Sequence, residues 1–422
     1  MSDEREPRQS RRTSLLASLG PGLITGAADD DPSGIATYSQ AGAQFGTSMA
    51  WVMLFSWPLM AVTQVIAARI GAVTGKGIAR NLSLHYSPWV LRFAVLILMI
   101  ANIANLGADL GAMAEALQLL IGGPALLYTV AFAMVCISAE IWISYRRYAS
   151  IMKWLTMSLF AYVGVVLAVQ VPWIATLRDI FVPNLLLDSD HAELLVAILG
   201  TTISPYLFFW QAAQEVEEQT ERHLPPLQQL ANAGSELHRI NIDTWVGMGY
   251  SNLIALFIII ATAATLHASG QTNIQTAGQA AEALRPIAGP FTFVLFASGI
   301  IGTGLLAVPV LAGSCAYALA ETAGWNEGLG EKLGRARGFY GTIAAATLIG
   351  LALNFTGIDP IKALYWSAVL NGVLAAPLMA LMLIVATNRA IMGKLVIGRW
   401  LVLVGWLATA AMALATTAFF VM

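Results

Sequence analysis

The segment Asp29-Asp30-Asp31-Pro32-Ser33-Gly34 lies inside an apolar run, and residues of these types can do the chemistry of a cation site. Carboxylates at mid-membrane depth cost several kcal/mol on insertion scales, so they must face protein or water. Pro32 removes a backbone donor and pushes Asp31 out of the helical region. Gly34 adds conformational freedom. A helix is therefore expected to break here, with Asp31 as N-cap of its second half and Pro32 at the first helical position. Capping and ion binding can coexist. A second break is expected at Gly200-Thr201-Thr202-Ile203-Ser204-Pro205-Tyr206, where Ser-Pro takes the place of Asp-Pro. A lone Ser-Pro would read as a kink that neighbouring helices repair. Two breaks at corresponding places in two halves of a chain point instead to a transporter site near the bilayer midplane.

The donor inventory narrows the ion. All five histidines, His85, His191, His223, His238 and His267, fall in expected loops or at span ends. No methionine flanks Asp31-Pro32 or immediately precedes Pro205. What is left is oxygen: Asp31, the hydroxyls of Thr201, Thr202 and Ser204, and carbonyls freed by the breaks. Gly34 leaves space beside them for hydration water. Such a set suits a hard cation, Mg²⁺ above all, with Mn²⁺ as a further candidate. The metal is then the substrate, and no resident cofactor is expected. Asp29 and Asp30 can attract the ion or touch it through water. Asn102, Asn105 and Asp109 share one face of the third span, as interhelical hydrogen bonds or pathway lining. Gln211, Glu215 and Glu218 share a face of the sixth span's second half and are expected at an inner vestibule. Asn371 in the tenth span is a weaker candidate, better explained by interhelical bonding.

The elements that must position these groups follow from composition. The 422 residues are 58% hydrophobic and 11% charged, with mean hydropathy +0.71. Soluble domains carry roughly 25% charged residues, so an all-α polytopic membrane protein is expected. Apolar runs place spans near 14–45, 47–70, 90–121, 125–145, 149–171, 191–220, 242–267, 287–322, 339–356, 360–388 and 399–421. With the N-terminus inside, 19 of the 22 Lys and Arg residues fall on the cytoplasmic side. Only Arg178, Arg285 and Lys362 fall outside, a strong positive-inside bias. This orients the chain in the cell (inner) membrane, N-terminus cytoplasmic and C-terminus outside. The organisation expected is a disordered head (1–13), a first five-span repeat (14–171), an outer loop (172–190), an inverted second repeat (191–388) and a last span (399–422). The acids interrupting the first apolar run argue against a secretory signal peptide.

Cys136 and Cys315 read as core residues, and a net charge of −2 gives no footprint for nucleic acid. The partners expected are divalent metal ions and the lipid bilayer, and a monomer is compatible with this architecture. No His-Glu-x-x-His or Gly-x-Ser-x-Gly signature points to an enzyme.

These eleven spans, with X-Pro breaks in the first and sixth, resemble the NRAMP divalent-metal transporters, which have the LeuT-type fold of a 5+5 inverted repeat plus one helix. Asp31-Pro32-Ser33-Gly34 stands where that family has Asp-Pro-Gly-Asn. Thr201-Thr202-Ile203-Ser204-Pro205-Tyr206 stands where it has Ala-x-x-Met-Pro-His. The resemblance carries the metal-binding aspartate to Asp31, replaces the asparagine by Gly34 and the soft methionine by Ser204. The altered pattern is similar to the NRAMP-related magnesium transporter branch. The family's sixth-span histidines fall at Tyr206 and Gln211, and its third-span acids at Asn105 and Ala108, beside Asp109. No arginine lies within the ninth span, where the family has one. The resemblance thus implies alternating access, with a four-helix bundle moving against a scaffold and without proton coupling. The alternative is a proton-coupled Mn²⁺/Fe²⁺ symporter; a LeuT-fold organic-substrate transporter or a cation channel fits less well.

Overall fold

A computed structural model describes residues 20–143, 154, 157–184, 188–230 and 233–422. The head, the start of the first span, and the basic residues Arg146, Arg147 and Lys153 lie outside the described residues. All regular elements among the described residues are helices. Nine are long and apolar enough to cross a membrane. The first span adds two shorter pieces, α1 (Pro21–Asp29) and α2 (Pro32–Phe45), and a short apolar helix, Met157–Ala168, marks the fifth. Together they correspond to the eleven expected spans.

The helices that build the site are these. The second span is α3 (Trp51–Thr74), and α4 (Ile78–His85) follows on the surface. The third span is α5 (Pro88–Ile121) and the fourth α6 (Ala125–Trp142). The sixth is broken into α7 (Ser189–Thr202) and α8 (Pro205–Glu221). The seventh is α9 (Gly234–Thr265), the eighth α10 (Thr292–Ala323), the ninth α11 (Arg337–Leu353), the tenth α12 (Pro360–Thr387) and the last α13 (Arg399–Val421).

Both breaks occur where a proline denies a backbone donor. At the first, Asp31 is the N-cap (φ −70°, ψ 170°) and accepts from the Gly34 amide. At the second, Ser204 holds the N-cap position without a side-chain capping bond. Its hydroxyl turns back to donate to the Gly200 and Thr201 carbonyls at 2.8 and 2.9 Å. The expected cap is therefore corrected: Ser204 satisfies acceptors that the break frees on the preceding half-helix.

Each half-helix before a break is seated on a neighbour by glycine. A Cβ on Gly22 would lie 2.7 Å from the Thr244 amide, and one on Gly26 would collide with the Gly247 backbone. A Cβ on Gly200 would lie 2.8 Å from Gly372 Cα. Small residues let membrane helices approach closely where water supplies no driving force between them. Large apolar side chains such as Trp89, Leu167 and Ile174 point outward, as a lipid-facing surface requires. Cys136 and Cys315 are buried free thiols.

Gly26→Ala should force α1 from α9 and destabilise the protein by about 1–3 kcal/mol, the usual cost of overpacking. It is read as a lower Tm of the purified chain. Gly341→Ala, where nothing lies within 4 Å of the added carbon, should leave Tm unchanged or higher.

Candidate metal site

Asp31 is held from three directions. Ser33 Oγ and the Gly34 amide both donate to its Oδ1 at 2.7 Å, and Asn105 Nδ2 on α5 donates to its Oδ2 at 2.7 Å. Asn105 is oriented in turn by Ser367 on α12, whose hydroxyl donates to Asn105 Oδ1 at 2.7 Å. Two sequence-distant helices thus fix the one carboxylate that caps α2. Networks of this kind lock a side chain in position.

The breaks meet at Gly34. A Cβ there would lie 3.1 Å from Thr201 Oγ1, 3.2 Å from Tyr38 Cε2 and 3.5 Å from Asp31 Oδ1. The Thr201 hydroxyl is buried, with the Tyr38 hydroxyl within its reach. It is an oxygen placed at the point where the Asp31 carboxylate arrives. The gap is narrower than the hydration space expected at Gly34: it would not take a methyl group comfortably. Among the described residues no three His, Cys, Asp or Glu side chains converge. The ligand set on offer is one carboxylate with hydroxyl and amide oxygens.

The other expected site residues divide. Thr202 is occupied by its own helix, donating to the Ile198 and Leu199 carbonyls at 2.9 and 3.3 Å. Asp109, one helical turn beyond Asn105, is fully buried, with the Ser33 backbone within reach and no side chain bonded to its oxygens. Asn371, one turn beyond Ser367, is likewise buried with both amide atoms free. Asp29 and Asp30 are fully buried but turn to α9, where each has an oxygen against Ser251 Oγ.

Gln211 donates to Glu215 at 3.3 Å. Glu215 and Glu218 are not open lining: Arg239 on α9 pairs with them at 3.2 and 3.5 Å, and with Glu236 at 3.0 Å. Two further contacts join residues with little signal in their local sequence. Asp243 accepts from the amides of Gly20, Gly22 and Leu23 at 3.0, 2.8 and 3.2 Å, tying the start of α1 to α9. Met113, fully buried, packs its thioether on Gly304 beside the Pro32 ring. Its place one turn beyond Asp109 was the only signal available.

With both breaks buried and the first half-helix latched, the fold and site define a membrane transporter with two broken helices around a central carboxylate. The family pattern of natural resistance-associated macrophage protein-like (Nramp) proteins matches residues 22–422, and the chain belongs to that family. A divalent metal cation transporter MntH from Klebsiella pneumoniae (strain 342) is 25% identical, covering 96% of this chain and 94% of its own length. Another of that name, from Deinococcus radiodurans, is 28% identical over 95% of this chain and 88% of its own length. A variant of the Eremococcus coleocola manganese transporter has a similar structure, with TM-score 0.76 at 17% identity, covering 98% of this chain and 88% of that one. The inward-facing structure of Mhp1 aligns with TM-score 0.55 at 14% identity, over 95% of this chain and 90% of that one. The LeuT-type fold expected from the sequence therefore holds, and the chain is a multi-pass divalent metal cation transporter.

Asn105→Ala removes the donor to Asp31 Oδ2 and should weaken metal binding about 10–100-fold, as loss of a ligand's hydrogen-bond partner does elsewhere. Thr201→Val should weaken it too, whereas Thr202→Val should leave it unchanged. Isothermal titration with Mn²⁺ reads all three.

Proposed function

We propose that this chain carries a hard divalent cation inward, held against Asp31 between the two helix breaks. The observation that carries this reading is the convergence of Asp31 Oδ1 and the Thr201 hydroxyl on Gly34. Oxygen donors at the break support Mg²⁺ as substrate, with Mn²⁺ also accepted. Tyr206 and Gln211, on the second half of the sixth span, do not titrate usefully, which supports uptake without proton coupling. The distribution of basic residues supports an inner-membrane orientation with a cytoplasmic N-terminus and an outer C-terminus. An inside-negative potential then favours inward movement of a divalent ion by about 4.6 kcal/mol per 100 mV.

A second reading is proton-coupled Mn²⁺ uptake, and specific observations favour it. Mg²⁺ gives up water reluctantly, and the space at Gly34 is too tight for a full hydration shell. The thioether of Met113 beside Pro32 is a softer neighbour than the sequence suggested. The relatives bear the names of a divalent metal cation transporter and a manganese transporter. Asp109 and Glu140 are buried without a side chain bonded to their carboxylates, so each is able to carry a proton.

The inner mouth suggests how access alternates. Release inward requires α1 to leave α9, breaking the three hydrogen bonds that backbone amides donate to Asp243, and α8 to part from Arg239. The two repeats, 14–171 and 191–388, supply one broken helix each for such a motion.

Reconstitution into liposomes with a trapped pH dye separates the readings. Uptake of Mg²⁺ with no pH change is the first outcome expected; uptake of Mn²⁺ accompanied by acidification selects the second. Asp31→Ala should reduce uptake of either ion by about 100-fold or more. Undiminished uptake by that variant would sink both.

A further inference from the structure

Away from the metal site, α5, α10 and α11 leave a groove of about 330 Å³ between them. Its walls include Met99 and Ile103 of α5, Leu319 near the end of α10, and Gly341, Ala345 and Ile349 of α11. Small residues on α11 make the space: nothing lies within 4 Å of a carbon added at Gly341. Thr342 brings the one hydroxyl among the lining residues, and it donates to the Gly338 carbonyl of its own helix at 2.8 Å. No hydroxyl or charge in the wall is left to hold water, and cavities of that kind stay dry.

The groove has a closed end and an open one. A Cβ on Gly107 would lie 2.6 Å from the Gly350 carbonyl oxygen, and one on Gly111 would collide with Asn354. Both pairs are offset by 243 positions, so α5 and α11 run parallel, touch at Gly107 and part toward their first residues. Gly338 and Ile349 are eleven positions apart, about 16 Å along a helix, close to half of a ~30 Å hydrocarbon core. Leu96 and Ile100 of α5 and Leu348 of α11 are exposed on the flanking faces. The space is therefore one leaflet deep and open to lipid.

Charge and indole rings mark the open end. Arg92 shares a face of α5 with Leu96, Met99 and Ile103, at i, i+4, i+7 and i+11. Its guanidinium lies 5.3 Å from the centre of the Trp89 ring. The offset between the helices puts Arg92 level with Arg335 and close to the level of Arg337, the first residue of α11. All three arginines are exposed, and none forms an ion pair among the described residues. The Trp325 ring lines the groove and lies where a Cβ on Gly338 would collide with it. Tryptophan favours the membrane–water boundary, and basic pockets between membrane helices hold anionic headgroups.

We propose that this groove binds one anionic phospholipid, an acyl chain lying between α5 and α11 and the phosphate meeting Arg92 and Arg337. A neutral lipid could supply the chain equally well. The arginines, free of carboxylate partners, are what select a negative headgroup, through charge-assisted hydrogen bonds. The site stands whichever leaflet this end of the helices faces, and whichever metal the chain carries.

The test is native mass spectrometry of the purified full-length chain in detergent, after incubation with equimolar phosphatidylglycerol and phosphatidylcholine. One phosphatidylglycerol per chain should be retained, in excess over phosphatidylcholine. Arg92→Gln and Arg337→Gln alter only exposed side chains, and each should lower the ratio of the two bound lipids about fivefold. Gly341→Phe fills the groove and should remove the retained lipid. Equal retention of both lipids by the unaltered chain, a ratio unmoved by either arginine variant, or undiminished retention in Gly341→Phe would overturn the proposal. So would a lipid-free mass of two chains, which would assign the groove to a second copy.

Discussion

Burying four carboxylates in the middle of a membrane protein, with no cationic side chain paired to them among the described residues, is the constraint to which the rest of the structure answers. An uncompensated charge in low dielectric is among the costliest things a fold can hold. This chain meets the cost locally with hydrogen-bond donors. Asp31 receives a hydroxyl, an amide and a side-chain carboxamide. Those donors exist only because Pro32 ends one helix and starts another, which leaves the Gly34 amide free to point at the carboxylate. A carboxylate held this way keeps a fixed position in the fold while its oxygens stay at the junction of the two breaks.

The second organising feature is the seventh span. α9 carries Arg239 and Asp243, one turn apart, toward the start of α1, and Ser251, two turns further on, toward the break. Asp243 takes the free amides at the start of α1, where a carboxylate is favoured by the helix dipole. Arg239 gathers Glu215, Glu218 and Glu236. Both sets of contacts are polar and reachable by water when broken, so they can be exchanged for solvent at modest cost. The glycine seat of α1 on α9 adds close packing without bulky side chains to unlock. Contacts of this kind can open without dismantling an apolar core, and a ligand can shift such a balance by its differential affinity for two states.

Much of this was legible in the residues. Proline and the scarcity of charge located both helix breaks and the order of the spans, because each acts through local chemistry: a missing donor, or the cost of polarity in hydrocarbon. The seventh helix nonetheless begins at Gly234, eight residues before its expected start. Asp31 was identifiable for the same reason, and Asn105 because it shares a face with Asp109. The roles of neighbours were harder to read. Thr201 and Thr202 are adjacent and chemically identical, yet one hydroxyl faces the break and the other bonds its own helix. Asp29 and Asp31 are two residues apart, yet they face different helices. Glu215 and Glu218 looked like an acidic lining until Arg239, some twenty residues on, was brought against them.

By itself the sequence determined that the chain spans a membrane, where its helices break, and that a carboxylate sits at the first break. Each of these depends on a residue's own backbone chemistry or its transfer cost, which need no partner to act. Only the tertiary structure decided which oxygens converge, how narrow the space at Gly34 is, and that Asp243 latches α1 to α9. Those are contacts between residues tens to hundreds of positions apart, set by the rotation of each helix and the closeness of its packing. Side chains one position apart on a helix diverge by about 100°, so small rotations decide which of them reaches the ion.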